Sequence, residues 1–280
     1  MQQRTAFLAR FPIRFPVRFT IPRYLFVVCL LSWPFQFAYL LLGPDYRPVL
    51  LLSMIMAGVA TVLAARFLFG DSLAGAGWRV GKLRYYLYAL LLALVLWLFP
   101  VLLEGVLGIH APQAALAAAL ALLPINALLT VLPAFGEELS WRGYLLPKLR
   151  QRFSVRQALL WHGLATWFWH LPFLLAMAVH GGDGWLLTFT VIAVVSLIPA
   201  VLHAVIFAWF WQASGSLLVA TFYHVAFDEV RDALQDTVGF GWLAENWQML
   251  VIIILGTALL WCAGWTGLQH ARQADRVGLE

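Results

Sequence analysis

Charge is scarce in this sequence. Only 11% of its 280 residues are Asp, Glu, Lys or Arg, where a soluble globular domain carries about 25%. So few charges cannot keep an ordinary surface in water, which excludes a soluble globular enzyme, a disordered chain and a nucleic-acid-binding module. Cysteine is almost absent. Cys29 and Cys262 both fall in apolar runs, and neither supports a disulfide or a metal framework. No HExxH occurs, so no single helix supplies both metal ligands and base. There is no low-complexity tail, convincing internal repeat or Ser/Gly-rich linker, and no small-residue cleavage site that would make the N-terminus a removable signal.

What fills the chain is apolar. Hydrophobic residues make up 63% and the mean hydropathy is +0.85. Eight apolar runs lie at approximately 24–43, 48–69, 85–108, 112–135, 156–179, 185–211, 215–234 and 246–268. Each is about long enough to cross hydrocarbon as a helix, which takes roughly 20 residues. A closed barrel would need alternating strands, and runs such as Ala114 to Leu123 do not alternate. Breaks fall at Gly43-Pro44, Gly70-Asp71, Gly181-Gly182 and Gly239 to Gly241, where turns belong.

The distribution of cations tests the span count. With the N-terminus inside, all of the 18 Lys and Arg fall on the cytoplasmic side except Arg47 and Arg231. A wrong count would scramble that partition. The expected fold is therefore all-α, a polytopic membrane bundle of about eight transmembrane helices with both termini cytoplasmic. Residues 1–23, with Arg4, Arg10, Arg14 and Arg18 interleaved with Phe, read as a basic amphipathic leader on anionic lipid. Residues 24–268 form one transmembrane domain and 269–280 a cytoplasmic tail. The charged 137–153 segment reads as an amphipathic helix on the cytoplasmic side or a re-entrant turn.

Ionisable residues inside spans carry the chemical information, because each costs about 2.5–3.5 kcal/mol to insert and so needs a partner or a purpose. Glu137 and Glu138 end the fourth run, about 100° apart on a helix. Glu138 and Arg142 have the i, i+4 spacing of an ion pair. Glu137 is left to point into the bundle, where a desolvated carboxylate suits general acid/base work. A solvated charged helix start is the plainer reading of that segment. His170 lies well inside the fifth span, beside Pro172, which bends a helix locally. His162 lies nearer the cytoplasmic end, in a structural or interfacial place. His224 and Asp228 share a face of the seventh span, either locking helices together or polarising a carbonyl, holding a metal or relaying protons. His203, in the sixth, has no acidic neighbour in sequence and reads as structural. Glu137, His170, His224 and Asp228 are expected to line one polar cavity, open toward the cytoplasmic half where Glu137 lies. Such a centre fits a hydrolase, a metal transporter or a proton-coupled carrier.

These residues resemble the CPBP family of membrane proteases, which includes type II CAAX prenyl proteases and bacteriocin-immunity proteins. Its EExxxR motif is Glu137-Glu138-Leu139-Ser140-Trp141-Arg142, continued by Gly143-Tyr144-Leu145. The FxxxH motif is met at His170, with Thr166 in the Phe position and Trp167-Phe168 just after. HxxxN or HxxxD is His224-Val225-Ala226-Phe227-Asp228. The approach through Phe207-Ala208-Trp209 and Ser214-Gly215-Ser216-Leu217 is also similar. The resemblance covers about 112–232.

It implies an intramembrane endopeptidase. Glu137 and His170 would activate water, His224 and Asp228 would stabilise the oxyanion, and Arg142 would hold Glu138. An ionised Asp228 cannot donate to an oxyanion, so it must be protonated or must orient His224. The expected chemistry is metal-free. Zn²⁺ is the alternative, with Glu137, His170, His224 and Asp228 as its ligands. The expected partners are membrane lipid and a peptide or membrane-protein substrate, not nucleic acid. The competing functions are a non-catalytic immunity or partner-binding protein on the same fold, or a carrier lined by His and acidic residues.

Overall fold

In the computed structural model, which describes residues 20–110 and 116–265, the apolar runs are helical. Residues 1–19 of the leader, the tail and the first residues of the fourth run lie outside the described residues. The helices are α1 (Ile21–Leu42), α2 (Arg47–Leu63), α3 (Leu83–Leu107), α4 (Leu116–Glu138), α5 (Leu146–Arg150), α6 (Val155–Trp169), α7 (Leu171–His180), α8 (Trp185–Ser214), α9 (Leu217–Thr237) and α10 (Trp242–Cys262). No strand occurs among the described residues. Among the described residues five helices are long and apolar enough to cross a membrane: Ile21–Leu42, Pro44–Phe69, Leu83–Leu107, Trp185–Ser214 and Trp242–Cys262. The protein is an all-helical, multi-pass membrane protein. Large side chains such as Leu128, Leu187, Val194 and Ile198 stay exposed on its flanks, as hydrocarbon requires.

Local sequence sets the ends of these helices. Ser216 caps α9 by accepting from the Val219 amide at 3.3 Å, and Ser154 with Gln157 forms a capping box on α6. Gly70 ends the α2 path with φ +67°, a left-handed conformation that glycine adopts without a Cβ penalty.

Two segments depart from expectation. The fifth run is not one helix. It breaks at His170 (φ −80°, ψ −6°), and α7 restarts with Pro172 in its first turn. Proline has no amide hydrogen to continue the ladder, whereas the first turn of a helix has no need of one. The 137–153 segment is not a surface amphipathic helix. Its first part, Leu139–Leu145, is a π-helical turn continuing α4, with every residue buried. Its polar groups have protein partners instead of water. Tyr144 donates to Asp71 Oδ2 at 2.6 Å, and Lys148 pairs with Asp71 Oδ1 at 2.7 Å. Burial and the Asp71 carboxylate push the Tyr144 phenol above its ordinary range, so it remains a donor.

The bundle has two distinct ends. At one, Trp211 donates to the Ala76 carbonyl at 2.9 Å, Ser216 to the Arg79 carbonyl, and Arg156 to the Leu260 carbonyl at 3.3 Å. At the other, Arg47 pairs with Asp232 at 2.7 Å and His180 contacts the Leu40 carbonyl at 3.0 Å. There Glu104 also accepts from the Leu243 amide at 2.7 Å.

Glycines set how closely the middle helices approach. A Cβ on Gly136 would lie 2.6 Å from the Met54 carbonyl oxygen, and one on Gly58 would lie 2.8 Å from Gly136 Cα. The α2 and α4 backbones touch here, as small residues allow between membrane helices. Gly136 immediately precedes Glu137, so this crossing also fixes where Glu137 points. Gly136→Ala is expected to destabilise by about 1–3 kcal/mol, the usual cost of overpacking. Thermal unfolding in detergent measures it. An unchanged unfolding temperature would show that the crossing has slack.

Candidate active site

A cavity of about 630 Å³ runs into the bundle between α1, α2, α4, α6, α7, α8 and α9. Glu137, His170, His224 and Asp228 all line it, as do Arg142 and His203. Its floor is formed by buried side chains, with Glu137 3%, Arg142 2% and Trp169 1% exposed. Its exposed lining residues, Pro44, Met177, Gln235 and Asp236, lie at the opposite end. The opening is thus at the far end from Glu137, contrary to the expectation that it faces the end where Glu137 lies. Glu137 sits at the closed end because the π turn that follows it is packed solid.

Glu137 does not stand wholly alone. Trp141, one turn on, donates its indole N–H to Glu137 Oε2 at 3.4 Å. Glu138 turns the other way, fully buried. Its Oε1 accepts from Arg142 Nη1 at 2.9 Å and lies 2.9 Å from His224 Nδ1. The Glu138–Arg142 pair follows the spacing. The Glu138–His224 contact joins residues 86 apart in sequence, and nothing local announces it. The Arg142 guanidinium also lies over the Phe207 ring, 4.2 Å from its centroid.

His224 Nε2 lies 3.3 Å from Asp228 Oδ2, so both ring nitrogens face carboxylate oxygens, an arrangement satisfied by two N–H donors. Asp228 is also paired with Arg231 Nη1 at 3.1 Å. It is an acceptor held between two donors, which suits orienting His224 rather than donating to substrate.

His170 owes its orientation to the helix break. Its Nδ1 is 2.8 Å from the Thr166 carbonyl. A carbonyl only accepts, so Nδ1 carries the hydrogen, and in the neutral ring Nε2 keeps a lone pair. The break is pinned from α1, because Trp33 donates to the Trp169 carbonyl at 3.0 Å and Trp169 donates to Ser32 at 2.7 Å.

His203 lies 2.8 Å from the Tyr223 hydroxyl and packs on Phe207 and Phe227, in the wall of the same cavity. His162 is fully buried rather than interfacial. Sequence reasoning missed further lining residues, among them Arg231, Gln36 and Arg47. Arg231 was legible from its i+3 spacing to Asp228, and Gln36 as a lone amide in an apolar run. Arg47 was not, because its partners Glu229 and Asp232 are distant in sequence. The Gln36 side chain is fully buried in the cavity wall and neither amide atom has a partner.

A metal does not fit the four residues as they stand. Among the described residues no group of three His, Cys, Asp or Glu is arranged to hold one. His224 has both nitrogens engaged and Asp228 is held by Arg231, so a shared ion would have to break contacts already made.

Residues 118–230 match the family model described as Rce1-like, type II CAAX prenyl endopeptidase Rce1-like. The match covers less than half of the chain, but it runs from α4 to α9 and includes Glu137, His170, His203, His224 and Asp228. Over this segment the chain is similar to that family of membrane endopeptidases. None of the curated proteins matches the chain.

Proposed function

We propose that the protein is an intramembrane endopeptidase that hydrolyses a peptide bond by glutamate- and histidine-activated water, without a metal. The observation that carries this reading is the shared cavity. It brings a carboxylate, an imidazole lone pair and a carboxylate-anchored imidazole to one water-accessible space inside a membrane bundle.

In this mechanism a water held by Glu137 and His170 Nε2 loses a proton to Glu137 as its oxygen attacks the scissile carbonyl carbon. The carbonyl π electrons move onto oxygen. His224 Nε2–H, which faces Asp228 Oδ2 at 3.3 Å in the resting site, is shared between that carboxylate and the oxyanion as the charge develops, and a hydrogen bond to a developing oxyanion is worth several kcal/mol. Glu137 then delivers its proton to the leaving amine as the C–N bond breaks, giving a carboxylic acid and a free amine. Asp228 acts through His224 and Arg142 acts through Glu138, so both are positioning residues. Support for the metal-independent route comes from His224 and Asp228, whose polar atoms are already engaged with Glu138, with each other and with Arg231.

The purified protein in detergent, incubated with reporter peptides, tests this. Hydrolysis is expected to persist after treatment with a strong zinc chelator. Activity lost to the chelator and restored by Zn²⁺ would overturn the metal-independent route. Failure to cleave any peptide from the membrane proteins of its own cell would favour the non-catalytic, partner-binding reading.

A further inference from the structure

The two ends of the bundle differ sharply in charge. At the end of the α2–α3, α5–α6 and α8–α9 connections lie Arg66, Arg79, Lys82, Arg84, Arg150 and Arg152, with Asp71 the only acid in those connections. At the other end lie Asp45, Asp183, Asp232, Asp236 and Glu245, with Arg47 and Arg231. Cations concentrated in short connections mark the cytoplasmic face of a membrane protein. The cavity's exposed lining residues, among them Gln235 and Asp236, belong to the acidic end. Toward the basic end the cavity is sealed by Trp141, Tyr144, Leu145 and Leu146, each no more than 2% exposed.

We propose that the site is entered from the non-cytoplasmic side of the membrane, and that its substrates are peptide segments displayed on that side. The substrate part of this inference rests on the proteolytic reading above.

The depth of the cavity narrows the substrate class further. From Asp236 at the mouth to His224 is twelve residues of α9, about 18 Å at 1.5 Å per residue. An extended chain rises about 3.3 Å per residue, so roughly six residues must unfold into the cavity to reach the floor. A loose terminus or juxtamembrane segment of an exported or membrane-anchored protein can do this, and a folded domain cannot. A peptide tail finished in the cytoplasm meets the sealed end.

Cysteine accessibility tests the direction of entry without using catalysis. In a Cys29→Ala, Cys262→Ser background, single cysteines are placed at Gln235→Cys on the mouth, Ser196→Cys within the cavity and Val80→Cys at the basic end. A membrane-impermeant maleimide is added to intact cells or right-side-out vesicles, and separately to inverted vesicles. Gln235→Cys and Ser196→Cys are expected to label from outside, Ser196→Cys more slowly, and Val80→Cys only in inverted vesicles. Labelling of Gln235→Cys or Ser196→Cys only in inverted vesicles, or of Ser196→Cys from neither side, overturns the proposal. A protein that cleaves reporter peptide in detergent yet labels at Ser196→Cys only from the cytoplasmic side keeps the protease reading and loses this one.

Discussion

Glu137→Gln is expected to remove peptide hydrolysis by about 10²–10⁴-fold, the usual contribution of a positioned general base, while leaving the fold intact. The substitution is close to isosteric. The new side chain would keep an amide oxygen as acceptor for the Trp141 indole, which donates to Glu137 across 3.4 Å. The buried Glu138–Arg142–His224 cluster would be untouched. What is lost is the proton acceptor. At 1.36 kcal/mol per decade, the rate change corresponds to about 3–5 kcal/mol of transition-state stabilisation. The measurement pairs single-turnover cleavage of a reporter peptide with thermal unfolding of the same detergent preparation. A large loss of rate with an unchanged unfolding temperature is the expected outcome. A variant that cleaves normally would remove Glu137 from the mechanism and make the non-catalytic reading the better one.

The helical runs were legible because hydrocarbon permits few structures. A 20-residue apolar run in a chain with 11% charge has to satisfy its own backbone hydrogen bonds. The turns at Gly43, Gly70, Gly182 and Gly239 were legible for a related reason: each has positive φ in the structure. Pairs one helical turn apart, Glu138 with Arg142 and His224 with Asp228, could likewise be read from spacing. Three features could not. The π turn at Leu139–Leu145 carries polar residues that look solvated until a distant partner such as Asp71 is known. The complete break at His170 depends on Trp33 and Ser32 holding Trp169 from another helix. The cavity's direction was misjudged because the position of Glu137 along α4 says where the carboxylate lies, not which side of it is packed. Close packing of Trp141, Tyr144 and Leu145 beneath the floor decides that, and packing between distant segments leaves no local mark in sequence.

Breaking the cluster around Glu138 is expected to be the costliest change to the fold. One carboxylate oxygen, Oε1, accepts from Arg142 and lies against His224, with the Glu138 and Arg142 side chains 0% and 3% exposed. Arg142→Ala would leave the Glu138 carboxylate buried with only the imidazole. Removing one partner of such a pair costs about 3–5 kcal/mol, chiefly through the charge left behind. The guanidinium's packing on Phe207 would be lost as well. Glu138→Gln would strand Arg142 instead, with a cost of similar size, and it differs in one respect. It also loosens His224 on the side away from Asp228. Glu138→Gln should therefore lower kcat in the surviving folded protein more than Arg142→Ala does. The double variant removes both charges together and should be less destabilised than the sum of the singles, because the partners share one interaction. Thermal unfolding of the four proteins, with cleavage rates normalised to folded protein, measures both effects. Strictly additive losses would mean that the two residues do not sense each other. Equal kcat for the two single variants would mean that Glu138 does not position His224. In that case the 2.9 Å contact between them would hold α4 to α9 without aiming the imidazole.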